Sequence, residues 1–132
     1  MVDVVVATLK KEYPTIHVYD ENVPQGFITP SFFVYVISTE NERVIGRRYL
    51  REYKMAVRYF GSGYTQLRNM AFELFDILEY PEYQGITLHG VKMHYVIEDE
   101  VLHFFFDIKV YIDKQMEDVP LMDNMTVSEK LI

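Results

Sequence analysis

The sequence predicts an α+β domain: one mostly antiparallel sheet of four or five strands, two main helices packed on one of its faces, and an extended C-terminal tail. Three observations predict it. Val2, Val5, Val6, Leu9 and Tyr13 recur at helical spacing near the N-terminus. Arg48–Phe60 and Val101–Asp113 alternate apolar and polar residues with period two, as half-buried strands do. Between them Leu67, Met70, Ala71, Leu74, Ile77 and Leu78 mark a second helix, bracketed by Gly61-Ser62-Gly63 and Pro81.

The elements follow in order. Pro14 ends the first helix, because a proline pushes the preceding residue out of the helical region. Residues 16–19 are a short β-prone stretch, and residues 20–26 are a polar loop punctuated by Pro24 and Gly26. Pro30 and Ser31 introduce a strand over residues 32–37, whose near-continuous apolar run suits a strand covered on both faces or packed within a subunit contact. Residues 38–42 are expected to turn the chain. In the next strand Tyr49, Tyr53, Met55, Val57 and Tyr59 share one face, and Arg48, Glu52, Lys54 and Arg58 the other.

The second helix is expected over residues 65–80. Strands over residues 86–97 and Val101–Asp113 then pair through Glu98-Asp99-Glu100, a turn without the glycine that two-residue hairpins favour, which leaves its length and register open. Leu102, Phe104, Phe106, Ile108, Val110 and Ile112 form the apolar face of the last strand; His103, Asp107, Lys109 and Asp113 form the polar one. After Lys114 the alternation stops. The expected division is a domain over residues 1–114 and a tail over residues 115–132, whose Val119, Leu121, Met122, Met125 and Val127 recur too often for a fully solvated segment. A partner surface is expected to order it.

Composition narrows the function classes. At 132 residues and 49% hydrophobic, the chain can build one core without disulfides or metal. The absence of cysteine excludes a disulfide scaffold, a zinc–thiolate site, an iron–sulfur cluster and a cysteine nucleophile. The longest apolar runs fall far short of the roughly 20 residues that span a bilayer. Met1-Val2-Asp3 lacks the basic start of a signal peptide, so a soluble, intracellular protein with no membrane partner is expected. A net charge of −7 argues against direct nucleic-acid recognition.

The charge is also lopsided. Residues 1–72 carry nine Lys/Arg and seven Asp/Glu, whereas residues 73–132 carry four and 13. Six of the cations, Arg43, Arg47, Arg48, Arg51, Lys54 and Arg58, cluster in and before one strand, and they form the candidate interface together with Leu121, Met122 and Met125 of the tail. The plain reading of the basic strand is a solvated face paired across strands through Glu52. The functional reading is head-to-tail association, in which the basic face of each copy meets the acidic face of the next. The 20 aromatic residues suit such an interface, and suit a rich core equally.

Catalytic chemistry is sparse. His89 and His94 are five residues apart on a strand and so point to opposite faces, which disfavours a shared metal. Gly61-Ser62-Gly63 lacks the frame of a phosphate loop, and Glu98-Asp99-Glu100 reads as a solvated turn. No catalytic residue, cofactor or metal is expected. The alternative is a small ligand-binding or enzymatic domain that uses the aromatic sheet face as a pocket wall; His103 and Asp107, on one face of one strand, are the place to look.

Gln25-Gly26-Phe27 with Pro30-Ser31-Phe32-Phe33-Val34, Ile45-Gly46-Arg47-Arg48-Tyr49 with Arg51 and Tyr53, Val57-Arg58-Tyr59-Phe60, and Val101-Leu102-His103-Phe104-Phe105 occur in an order and spacing that resemble the tail terminator family. That family belongs to long-tailed bacteriophages, prophages and phage-like elements of Gram-positive bacteria, and the likeness covers residues 1–114. It implies a small α+β subunit of a hexameric ring that caps the finished tail tube, stops its polymerisation and offers a surface to the head-side connector. Its implied partners are further copies of itself, the tail tube protein and the connector or head completion protein. Its implied place is the neck end of the virion tail, assembled in the host cytoplasm. Another neck or tail component is the nearest alternative. The resemblance implies no catalytic site, and by likeness Arg47, Arg48 and Arg51 match the family's basic segment.

Overall fold

A computed structural model describes residues 1–20 and 29–113. Helix α1 (Val2–Glu12) leads into the short strand β1 (His17–Tyr19), followed by two long strands, β2 (Ser31–Ile45) and β3 (Arg48–Phe60). Helix α2 (Tyr64–Ile77) comes next, then the two-residue strands β4 (Glu82–Tyr83) and β5 (Ile86–Thr87), and finally β6 (Gly90–Glu98) and β7 (Val101–Asp113). The main sheet has the order β1-β2-β3-β7-β6, with β4 and β5 as a separate ribbon. β1 runs parallel to β2, and every other neighbour is antiparallel. Most of the expected loop over residues 20–26, and the tail over 115–132, lie outside the described residues.

Period-two alternation sorts the sheet into two faces. Phe32, Val34, Met55, Val57, Tyr59, Leu102, Phe104, Phe106 and Ile108 turn inward and are buried against Val5 and Leu9 of α1 and Leu67, Ala71 and Leu74 of α2. Phe32 packs on Tyr59 at 4.9 Å between ring centroids, and Phe75 of α2 meets Phe104 edge-on at 5.2 Å. Each such side chain stabilises the fold by about 1.5–3 kcal/mol relative to exposure, so this face holds the molecule together. Both helices lie on it, as the sequence predicts.

Local chemistry sets the helix ends. The Tyr13 amide donates to the Leu9 carbonyl at 2.8 Å, closing the last turn of α1 before Pro14. Gly63, at φ 82, is the N-cap of α2 and has no side chain to cap it. Gln66 in the first turn reaches back instead: its Oε1 accepts from the Ser62 amide at 2.6 Å and its Nε2 donates to the Tyr59 hydroxyl at 2.7 Å.

Four expectations change. Residues 38–42 do not turn the chain; β2 continues to Ile45 and the turn falls at Gly46, φ 54, and Arg47. The polar run that reads as a turn is a solvated strand, paired with Leu50–Lys54 across register shifts at Val36/Ser38 and Arg43/Ile45. Residues 86–97 are not one strand either. Ile86–Thr87 folds back on Glu82–Tyr83, and β6 begins at Gly90, whose amide donates to the Glu79 carbonyl at 2.8 Å. Helix α2 ends at Ile77 rather than at residue 80. The run over residues 32–37 is covered by helices on one side only, and Phe33, Tyr35 and Ile37 belong to the other face.

Candidate functional site

The second face of the sheet carries no helix among the described residues. Across it the cross-strand partners form rows: Tyr19, Phe33, Arg58, His103 and Val96 in one, and Tyr35, Ala56, Phe105 and His94 in the next. Tyr19 stacks on Phe33 at 4.9 Å, Phe33 meets Phe60 edge-on at 5.1 Å, and His94 stacks on Phe105 at 5.0 Å. Ile37 and Val96 are 51% and 45% exposed, so the face is both aromatic and open.

The third row, Ser38, Lys54, Asp107 and Val91, is flanked by irregularities on both sides: β2 bulges between Val36 and Ser38, and β6 between Val91 and His94. A bulge adds one residue to a strand and re-aims its neighbours. Here the two bulges open a cavity of about 360 Å³ lined by Ile37, Lys54, Met55, Lys92, His94, Phe105 and Asp107. Lys92 itself has φ 53, a left-handed conformation that a long side chain adopts at a cost.

Asp107 is buried in this cavity wall. Burial raises its carboxyl above the ordinary carboxylate value; a hydrogen bond with Glu52 and the negative charge of Glu52 raise it further, while Lys54 and Lys92 pull it down. The sequence paired Asp107 with His103 on this face, and the structure keeps both there. It is His94, on the adjacent strand, that lines the cavity with Asp107. His103 lies alongside Phe105, 6.5 Å between ring centroids.

The six basic residues do not form one patch. Arg48, Lys54 and Arg58 share the open face, whereas Arg51 is opposite Val110 on the helix side. Arg43 Nε donates to the Gly46 carbonyl at 2.7 Å and braces the turn, and Arg48 Nε lies 3.3 Å from Asp113 Oδ1. Arg51 Nε donates to Asn41 Oδ1 at 3.2 Å. Arg58 lies over the Tyr35 ring, 5.2 Å from its centroid, with its Nε buried and lacking an acceptor. Arg47 sits exposed at the turn beside Val44 and Ile45, which are 51% and 73% exposed. Leu121, Met122 and Met125 lie outside the described residues. His89 stacks on Tyr80 at 4.9 Å, away from His94, and no group of His, Asp or Glu able to hold a metal ion occurs among the described residues.

Sequence reasoning missed Lys92, His94 and Ile37 as neighbours of Asp107. Plain alternation puts Ile37 with Phe33 and Tyr35, but nothing in it places the two bulges in one row.

The chain is thus an α+β domain whose main sheet has one face closed by helices and the other open, aromatic and flanked by charge. The family model described as phage tail terminator protein matches residues 1–120, and the chain belongs to that family. It is therefore a structural component of a phage tail, which speaks against an enzyme. The match runs past Lys114, where the sequence pattern loses its alternation. No curated protein matches the chain. No helix among the described residues is long and apolar enough to cross a membrane.

Proposed function

We propose that the chain is the subunit of a homo-oligomeric ring, hexameric by family likeness, that caps the finished tail tube at the neck end. The ring ends tube polymerisation and presents the surface to which the head-side connector joins, and it assembles in the host cytoplasm. The observation that carries this reading is the family match over residues 1–120.

The surface chemistry supports it. Strands β2, β3 and β7 extend together to Arg48 and Asp113, past the last β6 pair at Gly90 and Ile108. Beyond them the β2–β3 turn carries exposed Val44 and Ile45 beside Arg47, an apolar and basic tip of the kind that docks on another protein. At the opposite end of the same sheet the β6–β7 turn carries Glu98, Asp99 and Glu100. Unlike patches at two ends of one subunit suit the heterologous contacts from which rings close. Arg43, Arg47, Arg48, Arg51, Lys54, Arg58 and the tail residues Leu121, Met122 and Met125 are the proposed contacts to the next copy, the tube or the connector.

Deleting the gene from its element and imaging the particles tests this. Tails of uncontrolled length, or tails unjoined to heads, are expected; normal particles would overturn it.

One observation favours a second reading, a small ligand-binding domain: Asp107 is a buried acid beside a cavity. It requires some small molecule to raise the melting temperature of the free chain, and a broad screen of anions and metabolites that moves nothing removes it.

A further inference from the structure

The charges of the open face pair off toward one end of the sheet and leave a cation unmatched toward the other. Near the β2–β3 turn Arg48 bridges to Asp113, Lys109 lies opposite Glu52, and Lys54 lies opposite Asp107. The two rows that follow, that of Tyr35 and Phe105 and that of Phe33, Arg58 and His103, contain no Asp or Glu among the described residues. Arg58 therefore stands among rings. It lies over Tyr35, and its Nε is buried without a hydrogen-bond acceptor. Glu98 lies opposite Val101, one row on and two strands across. A charged donor buried without an acceptor is costly, so this place on the face suits a carboxylate set between apolar side chains.

The chain carries such a segment beside this face. β7 lies between β3 and β6 and runs to Asp113, and the 19 residues 114–132 follow it. Extended, they span about 63 Å. The row of Arg58 and His103 lies ten residues back along β7, about 33 Å away, so the segment is long enough to cross the whole face. Its chemistry matches. It holds three of the seven methionines, a side chain that adapts to aromatic rings and makes favourable contacts with them, and it carries four acids against two lysines. A chain that reverses after Asp113 comes level with His103 about ten to 13 residues on, a turn included. Asp123 stands there, between Met122 and Met125. Tethering holds the segment at an effective concentration on the order of millimolar, which a separate molecule does not reach in dilute solution.

We propose that residues 114–132 fold back over the open face of their own chain, with Met122 and Met125 on the rings around Arg58 and the Asp123 carboxylate on its guanidinium. The free chain thereby covers its own aromatic face, including the exposed Ile37 and Val96. A segment seated this way still turns an outer side to the next copy, so this contact and the ring reading stand or fall separately.

The chain has no cysteine and no tryptophan, so either one, once introduced, is unambiguous. The full chain carrying His103→Cys and Met125→Cys, oxidised in dilute solution, is expected to close a disulfide within the monomer. Closure should be about tenfold faster than in a control pairing Met125→Cys with Lys11→Cys, which is exposed on α1 over the other face. A rate no greater than the control's overturns the proposal. Linked dimers that vanish on dilution overturn it too, because they give the face to a second copy. Within the His103→Cys/Met125→Cys chain, Asp123→Arg should slow closure severalfold and Arg58→Asp added to it should restore the rate; closure indifferent to both removes the Arg58 contact. Tryptophan supplies a readout that leaves Arg58 in place. The emission of Met125→Trp should lie to the blue of its position in urea and move back when Ile37→Asp and Val96→Asp, both at exposed positions, are added. Native emission already at the urea position, or emission unmoved by the two face substitutions, overturns the proposal.

Discussion

Asp107 on β7 lies opposite Lys54 on β3, one step along the same face from the Glu52–Lys109 pair, and burial leaves it only 9% exposed. Burial and Glu52 raise its pKa above the ordinary value of 3.8 while Lys54 and Lys92 pull it down, so between the ordinary and the raised value the folded chain holds a proton that the unfolded chain has released. The stability from this group is fully present below the ordinary carboxylate value and is lost as pH rises through the raised one. Urea denaturation of Asp107→Asn should lack that decline. Lys54, Lys92 and His94 also face the group, so the comparison belongs in a His94→Gln background. Parallel stability curves for the two chains would contradict the assignment.

The Tyr13 hydroxyl donates to Glu73 Oε1 at 2.8 Å and ties the end of α1 to α2. Its ring also packs on Phe32, 5.4 Å between centroids, and that contact survives in phenylalanine. Tyr13→Phe therefore isolates the hydrogen bond. Because the pair is exposed, a loss of about 0.5–1 kcal/mol is expected by chemical denaturation, near the low end for such bonds. A loss several times larger would mean that the ring had moved.

Gly90 is where β6 passes under the end of α2. A Cβ there would collide with the Leu78 carbonyl oxygen, a backbone atom that cannot swing aside. Gly90→Ala should cost about 1–3 kcal/mol, as overpacking does in a tight site. Thermal unfolding reads it, and an unchanged melting temperature would show that the helix end can yield.

Legibility in the sequence followed periodicity. β3 and β7 were readable to the residue, because Tyr53, Met55, Val57 and Tyr59 recur at every second position, and Leu102, Phe104, Phe106 and Ile108 do the same. The outer half of β2 was not, because Ser38, Thr39, Glu40, Asn41 and Glu42 have turn composition and are held in strand only by the ladder to β3. Gly90 was silent as well: its role is an approach between two backbones, which no pattern records. The basic cluster was legible as charge but not as surface, since strand register sends Arg48 and Arg51 to opposite faces and the turn takes Arg43 for its own bracing.

The β6–β7 turn sets stability against assembly. Asp99 and Glu100 both sit at positive φ, where glycine carries no Cβ penalty. Relief of that strain at one residue amounts to about 1–2 kcal/mol, and glycine returns part of it through the entropy of the unfolded chain. Glu100→Gly should therefore stabilise the free chain by about 0.5–1 kcal/mol in chemical denaturation. If the carboxylates at this tip dock on the next copy, the same change weakens self-association, measured by light scattering across concentrations and salt. A chain that is both more stable and less able to assemble explains why a strained glutamate stands at position 100, where glycine fits better. A chain that gains stability and assembles unchanged leaves Glu100 without that role, and a chain that loses stability contradicts the strained turn itself.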